Sequence, residues 1–112
     1  MNHRKLVYIA GPYTALHDST VKQNIAATNE AAKRLYLKGY DVICPNNNTA
    51  EWDNDDRILA EHYPTRILDM DLNILSRCDA IYMTRRWKES AGAIFEHGYA
   101  KGNGIEVIYE DD

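Results

Sequence analysis

The chain has 112 residues, of which 45% are hydrophobic and 27% charged, and it carries a formal net charge of −4. That length holds one domain, residues 1–112, around one core, and the composition shows no bias toward disorder. The acidic balance argues against a binder of the nucleic-acid backbone, which concentrates lysine and arginine to release counterions, and leaves small molecules as the expected partners.

Leu6–Ala10 is a short apolar run ended by Gly11-Pro12, the pattern of a buried strand meeting a turn. From Ser19 to Lys38 the periodicity is helical, with Val21, Ile25, Ala32, Leu35 and Tyr36 on one side, Asp18 or Ser19 as N-cap and Gly39 as the stop. Tyr40–Cys44 reads as a second strand, halted by Pro45 and the run Asn46-Asn47-Asn48. Asn48 and Glu51 have capping-box spacing for a short helix near Thr49, and Pro64 opens a longer helix whose apolar stripe is Ile67, Leu68, Leu72 and Leu75. Ala80–Thr84 is the third strand, Ser90–Lys101 a helix, and Ile105–Tyr109 the fourth strand. Strands alternating with helices give a parallel sheet with right-handed crossovers, in which ligands bind beyond the carboxyl ends of the strands where strand order switches. One rim therefore collects Gly11 to Thr14, Pro45 to Asn48, Thr84 to Ser90 and the helix carrying Glu96.

No stretch approaches the roughly 18 apolar residues of a membrane span, and Met1 to Lys5 run into the first strand without a signal-peptide core. A cytoplasmic protein with no membrane partner is the expectation. Cys44 and Cys78 lack CxxC or histidine-rich spacing, which favours buried reduced thiols over a disulfide or zinc site. His3, His17, His62 and His97 have no ligand spacing, Asp53 to Asp56 lack the glycine and glutamate of a calcium loop, and Gly102-Asn103-Gly104 has neither a strand before it nor a helix after it. No metal or organic cofactor is expected. A small core and a site that needs several walls favour a homodimer or larger homo-oligomer.

The stretch Ser90-Ala-Gly92-Ala-Ile-Phe-Glu96-His-Gly98-Tyr-Ala100 sets a carboxylate beyond a serine among small residues. Ser90 to Gly92 mark a loop entering a helix, where backbone N–H groups are free to hold an anion. Gly92, Glu96, Tyr99 and Ala100 share one helix face, thinned by Gly98; the same spacing also fits a glycine-softened surface helix with a solvated glutamate. In Asp69-Met70-Asp71, helical phase sets Asp71 between Ile67 and Ile74, whereas Asp69 shares its side with Asn73 and Ser76. A carboxyl drawn toward an apolar face has a raised pKa and suits a proton donor, so Asp71 and Glu96 together suit glycoside-bond chemistry. Alone, Asp71 fits equally a helix carboxylate paired with Arg34, Arg66 or Arg77. Asp79 reads as a structural carboxylate at a strand edge. Arg85-Arg86-Trp87-Lys88 either offsets the charge of an anionic ligand or forms a solvated loop tip.

Three groups of residues carry a resemblance that spans nearly the whole chain: Tyr8-Ile-Ala-Gly11-Pro-Tyr13, Asp71-Leu72 with Asp79 beyond, and Ser90-x-Gly92-x-x-x-Glu96-x-Gly98-x-Ala100. The sequence resembles the nucleoside 2-deoxyribosyltransferase superfamily, most closely its nucleoside 5′-monophosphate N-glycosidase branch. The resemblance implies an α/β Rossmann-like three-layer fold with a parallel sheet of four or five strands, in assemblies where a neighbouring subunit helps close the site. It implies hydrolysis of the N-glycosidic bond of a ribo- or deoxyribonucleoside 5′-monophosphate, with base exchange by a deoxyribosyltransferase, or silent nucleotide sequestration, as alternatives. By it Glu96 is the nucleophile, Tyr8 orients that glutamate, and Asp71 assists departure of the base. Ser90 takes the 5′-phosphate position, Gly11, Tyr13 and Gly92 line the sugar-phosphate, and Asn46 contacts the base. Two departures stand out. No arginine follows the first-strand glycine, so Arg85, Arg86 or Lys88 would have to replace it, and the chain lacks the C-terminal extension that shapes the transferases' base pocket.

Overall fold

The structure, a computed structural model, describes residues 3–13, 19–45, 52, 55–60 and 65–110. In chain order these form β1 (Leu6–Ala10), α1 (Val21–Leu37), β2 (Asp41–Ile43), α2 (Asp56–Leu59), α3 (Thr65–Leu75), β3 (Ala80–Met83), a 3-10 turn (Trp87–Glu89), α4 (Ala91–Gly102) and β4 (Glu106–Tyr109). All pairings are parallel, in the order β2-β1-β3-β4. The described residues thus make a four-stranded α/β sheet of the Rossmann-like kind.

Alternation along the two central strands divides the core into two layers. Tyr8, Ala10, Ile81 and Met83 face Leu75, Cys78, Ala93 and Ala100 of α3, α4 and their connection. Val7, Ile9, Ala80 and Tyr82 face Ala31 and Leu35 of α1. β1 and β3 are covered on both faces, which is why they read as continuous apolar runs rather than alternating ones. The two cysteines fall in opposite layers, Cys78 in the first and Cys44 against the second. Asp79 ties the amino ends of the central strands, its Oδ2 accepting from Leu6 N at 2.7 Å and its own N–H donating to Leu6 O at 2.8 Å. It stands at the far end of the sheet from the rim.

α1 departs from expectation twice. Its N-cap is Thr20, whose hydroxyl accepts from Gln23 N while the Gln23 side chain accepts from Thr20 N, a reciprocal capping box. Its buried face is Asn24, Thr28, Ala31 and Leu35, and Tyr36 is 69% exposed. Two polar residues face inward because each has a local partner: Asn24 donates to Tyr13 O at 3.2 Å and accepts from Ser19 Oγ at 2.9 Å, and Thr28 Oγ1 donates to Ile25 O at 2.9 Å. Gly39, at φ 99°, closes the helix in the left-handed region that glycine tolerates. The expected helix start near Thr49 and Pro64 itself lie outside the described residues. No described helix is long and apolar enough to cross a membrane.

Candidate active site

β1, α3 and α4 each bring one side chain to the same layer. The pleat of β1 turns Tyr8 toward α3 and α4, leaving it 1% exposed. On α3 the inward positions are Asp71 and Leu75, one turn apart, and Asp69, Asn73 and Ser76 face solvent as their helical phase dictates. On α4 the buried positions are Ala93, Glu96 and Ala100, so the carboxylate sits between two alanines whose small side chains let the helix lie close to the sheet. The Tyr8 hydroxyl donates to Glu96 Oε2 at 2.5 Å. Helix α4 starts where the sequence predicts: Ser90, extended at φ −119° and ψ 117°, accepts from Ala93 N at 3.1 Å.

These elements enclose a cavity of about 290 Å³ lined by Gly11, Tyr13, Asp71, Ser90, Gly92 and Glu96, with Ala91 and Ala93 between them. It lies at the carboxyl ends of β1 and β3, where strand order switches. Of the eight residues expected in the site, six line this cavity and Tyr8 stands behind it on Glu96; Asn46 lies outside the described residues. Gly92 borders open space, since a Cβ there would meet only Ser90 Oγ at 3.9 Å. Gly11 is different. A Cβ on it would fall 2.0 Å from Thr84 Oγ1, so what demands glycine here is the buried Thr84 side chain at the end of β3. Gly98 likewise does not thin the helix for a close neighbour, because nothing stands within 4 Å of its Cβ position.

Burial dominates the electrostatics. Glu96 is pushed up to about 7 by desolvation, with the Tyr8 hydrogen bond opposing and the Asp71 charge adding to the rise. Burial alone pushes Asp71 up to about 6. Burial first, then the Glu96 and Asp71 charges, keep the Tyr8 phenol protonated far above its ordinary range, so it acts as a donor. Asp71 Oδ1 is buried without a hydrogen-bond partner among the described residues, no ion pair joins Asp71 to Arg34, Arg66 or Arg77, and Arg34 pairs instead with Glu110. Such an oxygen is costly to fold and is available to a proton or donor arriving from the cavity. Two carboxyls with raised proton affinity converging on one cavity mark a site able to exchange protons near neutral pH.

The basic residues before Ser90 do not join this cavity. Arg85 and Lys88 border a separate cavity, Arg85 and Arg86 a third, and Arg86 is bound to Glu89 through two nitrogens at 2.6 and 2.8 Å. Every lysine and arginine of the chain is among the described residues, and none lines the cavity of Glu96. Sequence reasoning also left out an aromatic group behind Ser90. Trp87 stacks on His97 with ring centroids 4.3 Å apart, and His97 Nε2 shares a 2.7 Å hydrogen bond with the Tyr109 hydroxyl. Its members come from the 3-10 turn, α4 and β4, so no local spacing announces it. Among the described residues no group of three histidine, cysteine or acidic side chains is placed to hold a metal ion.

The fold is that of a 2-deoxyribosyltransferase from Bacillus psychrosaccharolyticus, with a TM-score of 0.67 at 17% identity over 93% of this chain and 70% of that one. At that identity the likeness is one of fold. No curated protein matches the sequence. Residues 5–109, by contrast, match the model of a protein family described as a domain of unknown function, DUF4406, and the chain belongs to that family.

Proposed function

We propose that the protein cleaves the N-glycosidic bond of a nucleoside or nucleoside 5′-monophosphate, with water as acceptor. The observation that carries this reading is the convergence of buried Glu96 and Asp71, with the Tyr8 donor, on one cavity at the sheet's switch point. In the form with Glu96 ionised and Asp71 protonated, the minor one because burial raises Glu96 to about 7 and Asp71 to about 6, Glu96 attacks the anomeric carbon as the bond to the base breaks and Asp71 delivers its proton to the departing base. The ester that links Glu96 to the sugar is then opened by water, which gives its proton to Asp71 and restores both carboxyls. The Tyr8 O–H steadies the ionised oxygen of Glu96 before attack. The fold shared with a 2-deoxyribosyltransferase supports the substrate class.

At the 5′ end the hydroxyl of Ser90 and the first amides of α4 are the groups suited to an anion. The absence of lysine and arginine from the cavity favours a second reading, in which the substrate is an unphosphorylated nucleoside and a second base replaces water. Exposed Ile94 and Phe95, on α4 beside the cavity-lining residues Ala91 to Ala93, support a homo-oligomer whose partner copy covers them.

Release of free base from a panel of paired nucleosides and 5′-monophosphates tests the proposal. Glu96→Gln, which keeps volume and loses the charge, is expected to reduce release at least about a hundredfold, equivalent to about 3 kcal/mol in the barrier. Near-normal release by that folded variant refutes the assignment, and tight binding without turnover in the unmodified protein points instead to sequestration. Higher kcat/KM for the monophosphate, reversed by Ser90→Asp, supports hydrolysis; higher kcat/KM for the nucleoside, with base exchange, supports transfer.

A further inference from the structure

The basic run Arg85-Arg86-Trp87-Lys88 has no part in the cavity of Glu96, yet it is not simply a solvated loop tip. A separate cavity of about 400 Å³ opens beyond the carboxyl ends of β3 and β4, a volume within the roughly 300–1,000 Å³ of small-molecule sites. Its floor is Met83 and Thr84, its walls include Trp87 and Tyr109, and its cations are Arg85 and Lys88. The aromatic wall is fixed from behind: Trp87 stacks on His97, Tyr109 holds His97 through its hydroxyl, and the Trp87 and Tyr109 rings stand 6.1 Å apart. Lys88 Nζ lies 5.7 Å from the Trp87 ring centroid. Its polarity is opposite to that of the first cavity, where two carboxyls stand and no lysine or arginine does.

We propose that this cavity is a second binding site, for a planar aromatic molecule carrying a phosphate, such as a mononucleotide. The heterocycle lies against the Trp87 and Tyr109 side of the cavity and the phosphate meets Arg85 and Lys88, a division of labour in which π-faces accept any flat ring and the cations select charge. Glu110 already occupies the cationic rim. Its carboxylate stands 3.6 Å from Arg85 and 3.4 Å from Arg34, so the ligand's phosphate competes with an internal anion for the Arg85 guanidinium. The 3-10 turn also connects this site to the first, because Ser90 N donates to Trp87 O at 3.1 Å and Ser90 caps the helix that carries Glu96.

Trp52 and Trp87 are the two tryptophans of the chain, so Trp52→Phe makes Trp87 emission a reporter of this cavity. Adding Glu96→Gln to it prevents turnover of the probe. Adenosine 5′-monophosphate is expected to quench Trp87 saturably, with adenosine at least tenfold weaker and inorganic phosphate alone without effect. Removing charge at the rim is expected to act with opposite signs: Arg85→Gln with Lys88→Gln weakens the monophosphate at least tenfold, and Glu110→Gln tightens it. Equal affinity for adenosine and its monophosphate, or indifference to all three rim changes, overturns the proposal. In the chain with Glu96 intact, the Arg85 and Lys88 changes are expected to leave base release from an uncharged nucleoside within about twofold. A parallel loss of that turnover would place the basic residues in the first site and overturn the second. The binding arm needs no catalysis, so it stands or falls independently of the glycosidase reading.

Discussion

Asp71→Asn is expected to make the protein more stable, and only above acidic pH. Desolvation raises the carboxyl from its ordinary 3.8 to about 6, and Oδ1 has no partner to offset that burial. Because the folded-state pKa lies above the unfolded one, this carboxyl penalises nothing below about pH 4, destabilises the fold progressively between about pH 4 and 6, and keeps that penalty at higher pH. At about 1.36 kcal/mol per pH unit the ionised group costs at most about 3 kcal/mol, a ceiling because Asp71 lines the cavity and water there screens its charge. A buried neutral amide gives back about 1 kcal/mol of that gain. The net of at most about 2 kcal/mol corresponds to a rise of no more than roughly 8 °C in Tm for a chain of this length. Thermal melts at half-unit intervals from pH 4 to 8, with exposed Asp69→Asn as the control, measure the gap directly and need no substrate. The Asp71 variant should melt roughly 4 °C below the unmodified protein near pH 4, cross it near pH 5 and melt above it from about pH 6. A gap of constant size across the range, or a variant that melts lower at pH 8, would refute the claim that Asp71 is held in the fold against a desolvation penalty.

Tyr8→Phe keeps the buried ring and removes the donor to Glu96, a charge-assisted bond worth about 1.5–3 kcal/mol. Since that donor favours the ionised carboxylate, kcat/KM for base release at pH 6.5 should fall about ten- to a hundredfold, and the alkaline limb, expected near 7, should move upward; an unmoved profile separates the phenol from Glu96. Asp71→Asn should slow base release far more than Asp69→Asn, and least for substrates with good leaving bases, and the opposite ranking in steady-state assays would exchange the roles of the two acids. Gly11→Ala drives a methyl into Thr84 Oγ1 and should cost about 1–3 kcal/mol in denaturant unfolding. Thr84→Ala in the same chain should restore most of it, because the next contact, with Thr84 Cβ, is at 3.1 Å. Thr20→Ala should lower stability by about 1 kcal/mol through loss of the α1 cap, with Ser19→Ala smaller in the same assay.

The parts of the fold legible in the sequence are those fixed by local periodicity. The phase of α3 separates Asp71 from Asp69 without any knowledge of the sheet, and the serine before a small-residue helix marks the α4 cap. Hydropathy failed on α1, where Asn24 and Thr28 turn inward because Tyr13 O, Ser19 Oγ and Ile25 O await them, partners that no apolar pattern reveals. It failed again at Arg85 to Lys88. Adjacency to Ser90 suggested one site, but Arg85, Arg86 and the 3-10 turn that follows them aim their side chains at other cavities. Gly11 shows a subtler gap, since the sequence marks the glycine and gives no sign that the reason is a threonine two strands' worth of chain away.

The bond pair between Leu6 and Asp79 joins residues 73 positions apart, and with it comes a constraint on the order in which the chain acquires structure. β1 is the inner strand on which the sheet is built, yet its partner β3 follows only after α1, β2, α2 and α3, so the closure entropy of that long loop must be met before the central ladder rewards it. On the ribosome, β1, α1 and β2 emerge with one edge of β1 still unpaired and with Tyr8 and Ala10 lacking the cover that α3 and α4 bring. An apolar strand edge in that condition pairs readily with another chain. Nascent fragments that stop before β3 should therefore aggregate or recruit chaperones, and the fold should become protease-resistant only after Asp79 and the strand behind it have been synthesised.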